Sequence, residues 1–469
     1  MMFWTFYLGS LSSIWSEVKP NVVLILADDV GVEAFKSYGG EDYHTPHLDR
    51  LADEGVLFEH CTATPLCTTS RVTMMTGAYN FRNYTHFGYL NPTSKTIGHL
   101  MKEAGYKTAI AGKWQLNGNY NKKEFPNFKN PARVNEAGFD EYCLWQLTKS
   151  RSESGERFWS PRLEMNGGWI DRKANHKKYG PDVMSDFLCD FMVKHRDEPF
   201  FVYYPTVLVH DPFVPSPDDV RDDLRGPKHN RSPKDPKIRK ENFASMMTYM
   251  DKIIGKIMTH LEDINQLENT LILFTSDNGT HKTISSNAKG RTISGGKALL
   301  EEKGTHVPLL AYWKGKTLVG HRSKALVDFT DFYSTLQDLV KATHGDGDPT
   351  DGMSFLPHLF EKNAPSRSWV LCHHQSYWGK NPVGAFVKNE EYKLYDDGRF
   401  YHLASDPEEK KDLMGAPLSD KGMSMHRRLK KVMDQVPEVN RKYDSKGELM
   451  SGTKIKDRRT YPNWNLPKP

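Results

Sequence analysis

Two adjacent aspartates at the end of an apolar run are the first residues in this sequence that invite chemistry. In NVVLILADD, which begins at Asn21, a short stretch of Val, Ile and Leu stops abruptly at Asp28 and Asp29. Neighbouring carboxylates repel, and holding them together is costly unless a cation compensates. A second acid-tipped run, TLILFTSDNG, ends in Asp277 and Asn278 and adds a carboxylate and an amide oxygen. Such an all-oxygen set suits a hard cation, Ca2+ or Mg2+, better than it suits zinc. Either pair alone fits an ordinary acidic turn; together, on two predicted strands, they are a much stronger signal. Between them lies ATPLCTTSRVTMMTG, a polar small-residue turn followed by an apolar, helix-like run. A helix starting there would offer free backbone N–H groups to an anion, with Cys67 at the electropositive end and Arg71 one turn on, able to pair with an oxyanion. Taken alone, that stretch is explained more plainly by a buried structural cysteine near a helix start.

These groups are far apart in sequence, so the fold has to bring them together. The short continuous apolar runs read as buried parallel strands. The segment TIGHLMKEAGYKTAIAGKW combines a helix, a stop at Gly105 and a further strand, and NFASMMTYMDKIIGKIMTHLEDI has apolar positions three and four apart, as a crossover helix requires. Strand, helix and strand in alternation imply an α/β fold. In open sheets of that kind ligands gather beyond the carboxyl ends of the strands, so Asp28, Asp29, Asp277 and Asn278 are expected to converge. Residues 221–240 (RDDLRGPKHNRSPKDPKIRK) have no apolar period and read as an exposed loop with solvated charges. After about residue 365 the segments shorten and turn signals appear, among them YDDG as a hairpin turn. This predicts a small antiparallel sheet followed by a helix at MHRRLKKVMDQV.

At 469 residues the chain is long enough for one large unit and a smaller one, with boundaries expected at 20–365 and 366–469. Its 64 basic and 59 acidic residues leave a formal charge of +5, too small to predict nucleic-acid binding, though compatible with an anionic substrate. Five cysteines, Cys61, Cys67, Cys143, Cys189 and Cys372, are too scattered for a disulfide framework and contain no CxxC pair. Residues 1–15 (MMFWTFYLGSLSSIW) resemble the apolar region of a secretory signal without its basic start, so residues 1–19 are read as a signal peptide and the location as periplasmic or secreted. No later segment is long enough to insert in a membrane.

The ordered set NVVLILADD, HTPHLDRLADEGVLFEH, CTTSRVTMMTG, TIGHLMKEAGYKTAIAGKW, VHDPF, MDKIIGKI, SDNG, GGK and DPEEKKDL resembles the type I, formylglycine-dependent sulfatases of the alkaline-phosphatase-like superfamily, from about Pro20 to Leu413. The resemblance implies a large, mixed but mostly parallel sheet flanked by helices, with a smaller C-terminal antiparallel sheet. It also implies that a formylglycine-generating enzyme converts Cys67 to formylglycine, the nucleophile, and that Asp28, Asp29, Asp277 and Asn278 bind Ca2+ with it. Arg71 would steady that residue, while Lys113, His210 and Lys297 contact the sulfate or the leaving oxygen. Those roles make chemical sense. A sulfate ester spreads negative charge over several oxygens, which two lysines can meet, and a histidine titrating near neutrality can protonate the departing oxygen. The implied substrate is a sulfated oligo- or polysaccharide.

Two positions depart from the family pattern. Its signature reads Cys-x-Pro-x-Arg, or Ala for Pro, whereas Thr69 stands third in CTTSR. Where the family has His in GKWH, this chain has Gln115, whose amide can hydrogen-bond sulfate but cannot take up a proton at neutral pH. His281 and His306 are weak candidates for the absent base. In CHHQSYWG, Trp378, His373 and His374 are candidate sugar contacts, though structural roles are the plainer reading. The alternatives are a sulfatase-like protein that binds sulfated glycan without turnover, and a phosphodiesterase or phosphonate hydrolase of the same superfamily.

Overall fold

The run NVVLILA forms strand β1 (Asn21–Ala27), and every residue of it is buried. Val22, Leu24 and Leu26 face one hydrophobic layer, and Val23, Ile25 and Ala27 face another. A strand covered on both faces has to be apolar throughout, which is why its sequence shows no alternation. The computed structural model describes residues 19–118, 130–149, 155–220, 222–343, 345, 351–378, 381–439, 460–467 and 469. The apolar stretch at residues 1–15 lies outside them.

The other strands are β2 (Val56–Thr62), β3 (Lys107–Lys113), β4 (Glu141–Trp145), β5 (Leu163–Met165), β6 (Gly168–Ile170), β7 (Phe200–Pro205), β8 (Thr270–Ser276), β9 (Ser285–Ala288), β10 (Arg291–Ser294), β11 (His306–Val307), β12 (Leu309–Tyr312), β13 (His321–Asp328), β14 (Val370–His374), β15 (Gly384–Lys388), β16 (Tyr392–Tyr395) and β17 (Phe400–His402). An 11-stranded sheet runs β11, β2, β12, β8, β1, β7, β3, β4, β5, β6, with β13 beside β2. Its centre, from β8 through β1, β7 and β3 to β4, is parallel, and β12 and β5 pair antiparallel at its two borders. Helices α1 (Pro46–Glu54), α4 (Gly180–Lys194) and α5 (Pro236–Asp263) cover one face, and α2 (Cys67–Thr76), α3 (Ile97–Glu103) and α6 (Asp331–Leu339) cover the other. This is the predicted α/β architecture, a large mixed sheet between helical layers.

Strands β14 to β17 form the smaller antiparallel sheet. Its turn at Asp396, Asp397 and Gly398 falls where YDDG predicts it, and Gly398 supplies the positive φ of 94°. Helix α7 (Asp420–Met433) packs Leu429 and Val432 against Val387, Tyr392, Leu394 and Phe400. Among the described residues no helix is long and apolar enough to cross a membrane.

The 221–240 loop is shorter than its composition suggests. Helix α5 already starts at Pro236, whose missing N–H costs nothing in a first turn, and the Asp235 side chain accepts from Lys237 N. The loop before it is also pinned, since buried Asn230 accepts from Trp159 N at 2.8 Å and donates to Trp159 O at 2.7 Å.

One close approach sets the site. Gly112, with φ 124°, lies in β3 against β7, where an added Cβ would fall 2.0 Å from the Pro205 carbonyl oxygen. The next residue is Lys113. Gly112→Ala is therefore expected to cost about 2–3 kcal/mol of stability, read as a lower urea midpoint. A midpoint equal to that of the native chain would mean that β3 and β7 can separate freely.

Candidate active site

Strands β1, β8, β3 and β4 all point their carboxyl ends the same way, and the predicted acids and cations gather there. Asp277 N donates to Ala27 O at 3.0 Å and Asp29 N to Asp277 Oδ1 at 3.2 Å, so the two acid-tipped strands lock together at their ends. Asp28, Asp29, Asp277 and Asn278 are all fully buried. Asp29 takes a left-handed φ of 65°, a conformation that aspartate tolerates better than most residues.

Three buried or nearly buried cations meet these acids. Lys113 Nζ, at the tip of β3, donates to both Asp28 oxygens at 3.0 and 2.8 Å. Arg71 reaches from α2 and donates through Nε and Nη2 to Asp277 Oδ2 at 3.1 and 2.9 Å, while its Nη1 donates to Lys113 O at 3.0 Å. Lys297 Nζ donates to Asp29 Oδ2 at 2.5 Å and lies 2.9 Å from His210 Nε2. The charges shift one another's protonation. Burial raises the Asp28 carboxyl, but Lys113, His210 and Arg71 overcome it and hold that group well below the usual carboxylate range. Burial and the neighbouring Asp28 charge push Asp277 up to about 7 against the pull of Arg71. Burial lowers His210, with Asp29 opposing.

Helix α2 begins at Cys67, and no side chain caps it, because the capping position is Leu66. Its positive end is therefore left to whatever lies in front of it. Cys67 is 4% exposed, and burial pushes its thiol up in spite of Lys113 and Lys297. The buried hydroxyls that follow are used within the fold. Thr69 Oγ1 donates to Leu66 O at 2.8 Å and lies 2.5 Å from Thr64 Oγ1, while Ser70 Oγ donates to Thr64 O at 3.1 Å. Thr69 thus ties the entry of the helix to the chain before it.

Gln115 lies just beyond β3 with φ 49°, and its Nε2 donates to Gln146 Oε1, just beyond β4. His281 stands near Asp29 and Lys297 in charge terms and packs on Phe213. His306 is elsewhere: it bonds Glu59 O at 2.8 Å and stacks on His60 along the β2 edge. His373 and His374 are buried, with His374 Nδ1 3.5 Å from Thr69 Oγ1, while Trp378 is 43% exposed.

Arg157 is absent from the sequence reading. It is 1% exposed, stacks over Trp145 at 4.4 Å and brings Nη2 to 2.7 Å from His210 Nδ1. Nothing in SGERFW gives it a period or a motif. Asp211, 3.1 Å from His210 Nδ1, and Gln146, at a strand tip, were both open to the strand-end rule that found the aspartates.

A family model described as Sulfatase matches residues 20–342. The chain belongs to the sulfatase family. An N-acetylgalactosamine-6-O-sulfatase of Bacteroides thetaiotaomicron is 26% identical, over 84% of this chain and 89% of that protein. The human N-acetylgalactosamine-6-sulfatase is 29% identical, over 73% of this chain and 66% of that protein. The structure of BT4656 in complex with its substrate D-glucosamine-2-N,6-O-disulfate shares the fold, with a TM-score of 0.71 at 20% identity over 89% of this chain and 97% of that one. The sulfatase is a sulfuric ester hydrolase of the alkaline-phosphatase-like fold.

Removing one partner of a buried charge set is costly, because the charge left behind has no water to return to. In the sulfatase, Arg71→Ala strips Asp277 Oδ2 of both its guanidinium donors and is expected to cost about 3–5 kcal/mol in chelator-containing buffer. Urea unfolding measures this, and a loss under 1 kcal/mol would show that Asp277 is neutral and needs no partner.

Proposed function

We propose that the enzyme removes sulfate from a sulfated sugar carried on an oligo- or polysaccharide, with Cys67 converted to formylglycine and Ca2+ held by Asp28, Asp29, Asp277, Asn278 and residue 67. The observation that carries this reading is the meeting of the uncapped start of α2 with Lys113, Lys297, His210 and three buried aspartates. The named substrates of its relatives, sulfated amino sugars, support the sugar.

The donor set fits the metal. Asn278 Nδ2 donates to Asp29 Oδ1 at 2.9 Å, yet its own Oδ1 is buried without a hydrogen-bond partner, a lone acceptor among carboxylates that a cation would satisfy. All the donors are oxygen, as a hard divalent ion prefers. Asp28, Asp29 and Asp277 are already matched by Arg71, Lys113 and Lys297. A divalent ion would therefore leave the pocket net positive, the condition for binding a sulfate anion. When bound, Ca2+ would supply positive charge to the ester oxygens, and formylglycine would supply a hydrated aldehyde as the nucleophile.

The chain's own side chains do the rest. Lys113 and Lys297 bring ammonium groups to the charge that spreads over the sulfate oxygens, held by Asp28 and Asp29 so that they need not reorganise. His210 is assigned the proton for the leaving sugar oxygen: burial, Lys297 and Arg157 work against that proton, and Asp29, 3.5 Å from Nε2, and Asp211, 3.1 Å from Nδ1, favour it. Gln115 holds the sulfate side of the pocket through its amide and moves no proton. Among the described residues, the one group of three or more acid, His or Cys side chains close enough to share an ion is Asp28, Asp29 and His210, and no second group of that size stands ready for the other zinc of a two-metal phosphodiesterase.

Peptide mass spectrometry on protein co-expressed with a formylglycine-generating enzyme should find the Cys67 peptide converted from thiol to aldehyde. Unmodified Cys67 beside a competent maturase would sink the nucleophile assignment. Asp277→Ala should lower bound calcium by elemental analysis as well as sulfate release, and unchanged calcium content would remove Asp277 from the metal set. Gln115→His, by adding a group that can accept a proton, should raise steady-state sulfate release relative to any initial burst. Equal ratios in the two proteins would show that another base already acts.

A further inference from the structure

We infer that Trp378 is the stacking platform for the sugar ring that carries the sulfate, and so determines which sulfate esters this enzyme accepts. The inference rests on the sulfated-sugar reading above and assigns a specificity residue to it.

The indole is 43% exposed, much as Trp169 and Trp464 are, and what sets it apart is its place beside the site. It lies flat on Phe87, with ring centroids 4.3 Å apart and planes 12° from parallel. Phe87 in turn packs with Leu66, Cys67 and Ala298 in one apolar cluster, so a single aromatic ring separates Trp378 from the nucleophile position. The segment carrying Phe87 is tied to the catalytic helix as well, since Gly88 N donates to Thr68 Oγ1 at 3.2 Å. Ala298, on the other side of the cluster, follows Lys297 directly and donates its N–H to Pro65 O at 2.8 Å.

The loop that presents the indole is fixed in several ways. Tyr377, the residue before it, has φ 51°, a left-handed conformation that is strained for a bulky residue. Its ring stacks on Tyr84 at 6.2 Å, and Tyr84 Oη donates to Ser376 O at 2.6 Å. Ser376 Oγ donates to Trp378 O at 3.1 Å, and Asn381 Nδ2 donates to the same carbonyl at 2.8 Å. Two aromatic stacks, Tyr84 on Tyr377 and Phe87 on Trp378, therefore pin the loop after β14 onto the segment after α2. Strain held in place by such contacts turns an apolar side chain outward, and a rigid aromatic that is already ordered binds at low entropic cost.

A pyranose presents one face of ring C–H groups, slightly positive, which matches the electron-rich face of an indole. The sulfate oxygens belong with Lys113 and Lys297. Phe87 covers one face of the indole, so in this inference the ring bearing them rests on the other face, beside the cluster of Cys67 and Phe87.

The test uses the full-length chain with Cys67→Ala, which cannot turn over, and titrates it by calorimetry with N-acetylgalactosamine 6-sulfate and separately with inorganic sulfate, both with Ca2+ present. Adding Trp378→Ala should weaken the sulfated sugar about tenfold or more while leaving inorganic sulfate unchanged, and Trp378→Phe should recover part of the loss. Equal sugar affinity with and without Trp378 overturns the platform. Parallel loss of sugar and sulfate overturns it too, because the residue would then act by holding the pocket together. If the parent protein binds inorganic sulfate but no sulfated sugar, the sugar reading itself falls and the platform with it.

Discussion

Everything at this site depends on keeping three carboxylates in a dry pocket at the ends of two parallel strands. Asp28, Asp29 and Asp277 are fully buried, and the energy of bringing their charges together falls on whatever surrounds them. Here that is Lys113, Arg71 and Lys297, each from a different element, each aimed at a different acid. The arrangement dictates much of the fold around it. β3 must run close to β7 so that Lys113 reaches Asp28, hence glycine at 112. Helix α2 must be buried over its whole length so that Arg71 reaches Asp277, hence a helix whose hydroxyls bond inward, as Thr73 Oγ1 does to Thr69 O and Thr76 Oγ1 to Val72 O.

The third cation explains why a second sheet is needed. Lys297 lies between β10 and a single helical turn (Glu302–Thr305) that leads into β11, on backbone that is itself in neither helix nor strand, and its geometry comes from neighbours. Five residues on, Glu302 is held by Lys388 at 2.7 Å and Lys393 at 3.2 Å, both from the antiparallel sheet. Lys393 also donates to Leu300 O at 2.8 Å and to Glu409 at 2.9 Å, and Glu302 N donates to Glu409 Oε1 at 2.7 Å. A buried network of this kind fixes geometry more surely than it adds stability, because every member needs every other. The C-terminal segment therefore fixes the backbone near Lys297, and it also carries the loop that presents Trp378.

The sequence was most readable where chemistry and burial left the same mark. Asp28 and Asp277 end apolar runs, so strand and site are visible in one glance, and the strand-end rule brings them together across about 250 residues of chain. Cys67 was ambiguous for a physical reason: a buried cysteine and a reactive one look alike until the neighbours are known, although the helix that starts there was legible from its apolar run. Arg157 could not be seen at all, since its role comes from stacking over Trp145 and reaching His210, contacts 12 and 53 residues away. Helix α5 began before its apolar period did, because Asp235 and Pro236 start a helix by capping rather than by burial.

The two departures from the family pattern have different physical meanings. Thr69 puts a hydroxyl where the family pattern has a ring that would preset the backbone, and that hydroxyl bonds Leu66 O, so here the entry to α2 is held by a side-chain hydrogen bond. Gln115 is a change of chemistry. It and Gln146 both take positive φ beyond adjacent strand tips, and their amides face each other. An amide pair keeps its donors and acceptors at every pH, so it can shape a sulfate pocket but cannot relay a proton. In the proposed chemistry the acid step at the leaving oxygen keeps its histidine, His210, while proton uptake afterwards loses the side chain the family assigns to it. Such an enzyme would cleave its ester readily and reset slowly.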